Sequence, residues 1–211
     1  MEFRKTSIQG LVEIFPRIFN DDRGYFFESY QYEAFNKNGI SEVFVQDNQS
    51  FSTKGVLRGL HLQLDPHAQG KLVRVISGKV LDVAVDVRPG SPTFGKHETF
   101  LLSAEKQNMA YVPPGFAHGF VTIEDAIFSY KCTNSYDKAS ESGIIWNDSE
   151  LSIDWGVENP NVSEKDKELQ KFAEFAEKIN KHIMLFAHVT MGLRRGGPLP
   201  ATLLLHTSKA V

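Results

Sequence analysis

Apolar and polar residues alternate in short runs through the middle of the chain. In VLDVAVDV, Val83 and Val85 face away from Asp82 and Asp86, a period of two that predicts a strand. LVRVISGKVLDVAVDVR reads as two strands joined at Ser77 and Gly78, and ETFLLS, MAYVPP, HGFVTIE and AIFSYKC continue the series to Cys132. RPGSPTFG is a loop on its proline and glycine content. Many short strands at this spacing predict an all-β sandwich or barrel rather than a parallel α/β sheet.

The period changes near residue 163. Ser163 with Asp166 three positions on has the form of a helix start, and Leu169, Phe172, Ala173, Ala176 and Ile179 recur at helical spacing. This predicts a C-terminal helix that packs its apolar stripe on the barrel. From Lys178 to Val211 there is no Asp or Glu and no clear period. The expected organisation is one domain over residues 1–177, followed by a tail over 178–211 that is a basic extension, a disordered end or sequence foreign to the domain.

A chain of 211 residues is long enough to bury a substantial core. Its formal net charge of -3 gives no global basic field, so nucleic acid is not an expected partner and any anion site must be local. The single cysteine, Cys132, forms no internal disulfide, which fits a reducing compartment. The start, MEFRKTSIQG, has no apolar segment of the secretory type, and IMLFAHVTMGL is too short to cross a bilayer. A cytoplasmic protein with no membrane partner is the expectation.

Against this background RGLHLQLDPHAQGKLVRVISG stands out, because Arg58, His61, His67, Lys71 and Arg74 interrupt a stretch that reads as strand. GVLRGLHLQ and PPGFAH resemble the paired motifs of the cupin superfamily, with Gly55 and His61 in register in the first and Pro113, Gly115 and His118 in the second. Gln63 stands where the first motif has its second histidine, and the next glutamate is Glu98, far too late. Two of four ligands are thus replaced, so no metal site is expected.

Wider blocks tighten the match. FNDDRGYFFESY, VQDNQSFSTKGVLRGLHLQ, QGKLVRVISGKVLDVAVDVRPGSPTFGK, YVPPGFAHGF, YKCTNSYDKASESGIIWND and NVSEKDK together resemble the dTDP-4-dehydrorhamnose 3,5-epimerases, from about Arg4 to Phe175. The resemblance implies an all-β, cupin-type double-stranded β-helix (a jelly-roll barrel) with a short C-terminal helical segment. It also implies inversion of carbons 3 and 5 of dTDP-4-dehydro-6-deoxy-D-glucose, giving dTDP-4-dehydro-L-rhamnose. The chemistry needs a base beside the ketone, a stabiliser for the enolate oxygen, and a second proton carrier on the opposite face of the ring.

The resemblance assigns His61 as base, Asp166 as its orienting acid, Tyr130 as the far-face donor and Lys71 as the cation near the carbonyl. It assigns substrate contacts to Arg23, Phe26, Glu28, Gln46, Asp47, Asn48, Arg58, His118, Tyr136, Glu141 and Lys165. Arginine suits diphosphate oxygens because guanidinium donates two parallel hydrogen bonds, and aromatic faces suit a flat base. No cofactor is implied, because the substrate's own ketone acidifies both neighbouring carbons, and no glycine-rich dinucleotide fingerprint is present. The partners implied are a dTDP-linked 4-keto-6-deoxysugar and a second copy of the chain, in a homodimer with exchanged N-terminal strands. Other readings are an epimerase acting at carbon 3 only, a metal-dependent cupin and a non-catalytic sugar-nucleotide-binding barrel.

Overall fold

The computed structural model describes residues 1–181. The strands are β1 (Glu2–Lys5), β2 (Val12–Phe15), β3 (Phe19–Asp21), β4 (Gly24–Phe26), β5 (Gln46–Ser52), β6 (Val56–Gln63), β7 (Lys71–Asp86), β8 (His97–Ser103), β9 (Met109–Val112), β10 (Phe116–Cys132), β11 (Glu141–Gly143) and β12 (Asn161–Val162). Helix α1 (Tyr32–Lys37) follows β4, and α2 (Glu164–Lys167) follows β12.

Two long strands organise the barrel. The start of β7, from Lys71 to Arg74, pairs with β9, and its end, from Lys79 to Val85, pairs with β8. Likewise β10 pairs with β6 through His118–Val121 and with β5 through Ala126–Cys132. Each strand therefore belongs to both walls of a jelly-roll barrel of the cupin type, and β7 and β10 pair antiparallel along nearly their whole length.

The expected break at Ser77 and Gly78 is instead a bend within one strand of 16 residues. Register shifts in β10 between Thr122 and Phe128 lie opposite it, so HGFVTIE and AIFSYKC are also one strand. Gly78 is required there: its φ is +80°, and a Cβ would stand 2.0 Å from the Asp125 carbonyl oxygen. The bulge also changes which parity faces inward. Val73 and Val75 point into the core before it, and Val80 and Ala84 after it. Phe100, Phe120 and Phe128 complete that core. Asp82 and Asp86, on the even side, are consequently buried rather than solvated.

Helix α1 covers the outer face of the wall formed by β2, β9 and the start of β7, where Phe35 packs with Ile14, Leu72 and Met109. The Gln31 side chain caps it by accepting from the Ala34 amide at 2.6 Å. With Phe35 its only buried residue, it carries no apolar periodicity that a sequence reading detects.

The single C-terminal helix expected from residue 163 is interrupted. Ser163 does cap α2, but residues 168–171 leave the helix, and the Gln170 carbonyl accepts from the Ile145 amide at 2.9 Å. Helix resumes over residues 172–181, where the Asp148 carboxylate accepts from the Phe172 amide at 2.9 Å. Pairing with the 145–148 segment outcompetes helical continuity. Met1–Phe172 forms one compact unit, and the described residues after it belong to a second. The tail expected over 178–211 lies outside the described residues from 182 onward.

Candidate active site

The open interior of the barrel holds a cavity of about 540 Å³, lined in part by Arg58, His61, Lys71, His118, Tyr130 and Asp166. A bulge aims two of these. Between His118 and Phe120 of β10 the facing strand β6 runs from His61 to Arg58, one residue more, which places His61 opposite His118 and Arg58 opposite Phe120. Gly59 lies inside that bulge with φ +135°, and a Cβ on it would meet the Gly119 Cα at 2.5 Å. The two backbones can approach this closely only because both residues are glycine.

His61 Nε2 lies 2.8 Å from Asp166 Oδ1. Asp166 Oδ2 accepts from the Gly59 amide at 3.2 Å, and the Asp166 amide donates to the Ser163 hydroxyl at 3.1 Å. Burial pushes the Asp166 carboxyl upward, but the His61, Gly59 and Ser163 hydrogen bonds outweigh it and hold the group below the ordinary carboxylate range. The carboxylate is therefore charged at neutral pH and fixes the His61 ring through the 2.8 Å contact to Nε2.

Tyr130 lines the same cavity from β10. Burial raises its phenol above the ordinary tyrosine range and Cys132 adds to this, while Arg58 and a hydrogen bond from Asn48 pull it back. The phenol keeps its proton at neutral pH. Lys71 moves the other way: burial lowers its pKa, with Cys132, Asp82 and Glu141 opposing. Lys71 is half-buried and makes no ion pair among the described residues, so its Nζ is left to face the cavity.

An imidazole paired with a carboxylate, a protonated phenol and a lysine thus share one hollow. The family model described as dTDP-4-dehydrorhamnose 3,5-epimerase matches residues 5–174. The chain belongs to this family. The dTDP-4-dehydrorhamnose 3,5-epimerase of Shigella flexneri is 51% identical over 176 residues, which is 82% of this chain and 97% of the relative. The crystal structure of the Legionella pneumophila dTDP-6-deoxy-D-glucose-3,5-epimerase in complex with dTDP-4-keto-L-rhamnose is 46% identical, with a TM-score of 0.78, covering 81% of this chain and 92% of that one. A 3′-monoepimerase from Streptomyces bikiniensis, in complex with dTDP-quinovose, is 32% identical with a TM-score of 0.77, covering 84% and 90%.

The remaining residues singled out by resemblance to the epimerases fall into three groups. Gln46, Asn48, Tyr136 and Glu141 line an adjoining cavity of about 230 Å³ together with His61, Lys71 and Tyr130. Here Glu141 accepts from the Tyr136 hydroxyl at 3.1 Å and from Lys165 Nζ at 2.7 Å, tying an exposed ring to the helix that carries Asp166. Arg58 donates to the Ser52 hydroxyl and the Phe51 carbonyl, and meets no carboxylate among the described residues, so its charge faces the cavity uncompensated. His118 is buried, with Nε2 2.8 Å from Asp82 Oδ2.

Asp47 is not brought into this cavity; its carboxylate pairs with Lys131 at 2.9 Å beside a separate cavity of about 340 Å³. Arg23, Phe26 and Glu28 line none of these cavities. Arg23 pairs with Asp21 on the exposed hairpin β3–β4, and Phe26 is 65% exposed.

Gln63, the departure from the cupin metal set, is fully engaged in structure. Its amide donates to the His67 and Ser135 carbonyls at 2.6 and 3.2 Å and accepts from the Asp137 amide at 2.7 Å. Among the described residues no group of three or more His, Cys, Asp and Glu side chains is arranged to hold a metal. Asp82 and Ser163 are site residues that the sequence reading did not select. Asp82 reads as the solvated half of an alternating strand, and only the parity change at Gly78 turns it inward.

Proposed function

We propose that His61 is the base, Tyr130 the far-face acid and Lys71 the stabiliser of the developing oxyanion in the reaction of this family. The chain is a 3,5-epimerase: it converts dTDP-4-dehydro-6-deoxy-D-glucose to dTDP-4-dehydro-L-rhamnose by removing and returning a proton on each carbon beside the ketone. His61 takes the carbon-bound proton, the electron pair moves into the enolate, and the Asp166 carboxylate compensates the imidazolium that forms. Lys71 donates to the enolate oxygen. Tyr130 then delivers its proton to the other face of the carbon, which inverts it. The enzyme resets by passing the proton on His61 to water and taking one from water at Tyr130.

The observation that carries this reading is the opening of the His61–Asp166 pair and the Tyr130 phenol into one cavity. Incubation with the 4-keto substrate in deuterated water, followed by NMR, is expected to place deuterium at carbons 3 and 5. Label at carbon 3 alone would make the enzyme a monoepimerase.

Arg58 is suited to the diphosphate, Tyr136 to stacking on the substrate, and Gln46, Asn48, Glu141 and Lys165 to polar contacts; His118, held by Asp82, is suited to a sugar oxygen. Arg23, Phe26 and Glu28 are read as serving the pocket of a second copy in a homodimer, which their position on an exposed hairpin away from their own cavity supports. Asp47 is left with its Lys131 partner. Residues 1–177 are read as the catalytic domain. No helix of the described residues is long and apolar enough to cross a membrane, and the cytoplasm is the compartment proposed for a sugar nucleotide enzyme with one unpaired cysteine.

A further inference from the structure

Arg74 is the cation of the strand motif that the reaction leaves without a task. Its neighbours Val73 and Val75 are in the barrel core, so strand alternation turns Arg74 to the outer face. There its guanidinium stands 5.7 Å from the centre of the Phe27 ring. Phe27 in turn stacks on Tyr25, with ring centres 6.0 Å apart and planes at 23°. The Tyr25 hydroxyl accepts from Gln107 Nε2 at 3.1 Å, and the same amide donates to the Ala104 carbonyl at 2.6 Å. Gln107 is buried in the loop between β8 and β9, with a left-handed φ of 53°. A continuous run of contacts thus leads from a barrel strand, through two aromatic rings, to a fixed loop.

Between those anchors lies β3–β4, a hairpin of two three-residue strands exposed at every position. A ribbon this short has no stability of its own, so its direction is set by what holds it. The Tyr25 hydroxyl and the Phe27 ring reach back to the body of the molecule, while the rest of Tyr25 stays exposed. Phe26, between them, points the other way, where it packs loosely on Phe19 at 6.4 Å.

We propose that Arg74, Phe27, Tyr25 and Gln107 form a clamp that fixes the direction in which the hairpin presents Arg23, Phe26 and Glu28 to a nucleoside diphosphate bound in a second copy of the chain. The proposal rests on the reading above that these three residues act across the dimer. Arg74 and Gln107 are positioning residues in this proposal and act through the hairpin; Arg74 also lines the cavity of about 340 Å³ beside Asn48 and Tyr130. Loosening the clamp weakens nucleotide capture and leaves proton transfer at His61 and Tyr130 untouched.

The test is a KM-against-kcat split with the dTDP-linked 4-keto sugar. Arg74→Met keeps the packing and removes the charge over the ring, and is expected to raise KM about fivefold, the factor that ~1 kcal/mol corresponds to, with kcat within about twofold of wild type. Arg74→Lys is expected to recover part of the loss. Tyr25→Phe, which deletes only the hydroxyl, is expected to raise KM about threefold, as suits one neutral hydrogen bond. An unchanged KM in both Arg74→Met and Tyr25→Phe, or a loss confined to kcat, overturns the clamp.

A mixing experiment checks the underlying reading separately. An Arg23→Ala/Glu28→Ala double variant combined with His61→Ala, assayed at limiting substrate, is expected to regain about a quarter of the wild-type sites, because half the dimers then hold one intact pocket. Absence of any regain removes the cross-subunit reading, and the clamp with it. Regain combined with unaltered KM in the clamp variants removes the clamp alone.

Discussion

One carboxylate oxygen of Asp166 faces His61 and the other faces the Gly59 amide, so a single side chain both orients the His61 ring and ties the bulge of β6 to α2. Asp166→Asn is expected to lower kcat by about 100-fold, the scale of general acid–base catalysis, with little change in KM; a kcat within threefold of wild type would remove Asp166 from the mechanism. A second carboxylate, Asp86, shows what such groups contribute to stability away from the chemistry. It accepts from Arg88, Ser91 and Thr93, and although burial pushes it upward, these bonds hold its pKa at about 2, below the ordinary 3.8. A depressed carboxyl stabilises the fold above its unfolded pKa and loses that contribution as pH falls. Asp86→Asn is therefore expected to cost about 2 kcal/mol at pH 7 in denaturant unfolding. The gap to wild type should close between pH 3.8 and about 2.

Among the elements, β6 shows the tightest link between backbone and site. Gly59→Ala places a methyl group against Gly119 and strains a positive φ. The expected cost is about 1–3 kcal/mol of stability, as for other overpacked cores, with a fall in kcat because the amide held by Asp166 moves. Wild-type unfolding and turnover in this variant would contradict the role given to the bulge. The strands themselves were legible from alternation, but their ends were not. Gly78 reads as a turn in the sequence, whereas the Asp125 carbonyl lying against it makes it a bend in a strand that continues. The helix after residue 163 was legible in its cap and misread in its length, because the competing hydrogen bonds from Ile145 and to Asp148 come from sequence far upstream. Asp82 was hidden for the same reason: its partner His118 is 36 residues away. His61, Tyr130 and Lys71 stood out as chemistry only through the blocks that surround them, since one histidine, tyrosine or lysine in a strand is ordinarily a packing or surface residue.

For the molecule as a whole, the family match ends at residue 174, and every residue given a role in the reaction lies before it. Truncation after residue 181 is expected to leave kcat and KM within about twofold of wild type in a steady-state assay; a larger loss would bring the basic tail into the enzyme's function. The barrel also limits how the reaction proceeds. Because β7 and β10 each run unbroken through both walls, the walls share their backbone and no hinge separates one from the other. On the proposed assignment of His61 as the base, its imidazole, anchored in such a frame by Asp166, stays where it is between the first and second proton abstractions. On that assignment the hexose shifts its ring to bring the second carbon to the stationary base, and how freely the bound sugar turns then decides whether one centre or two are inverted.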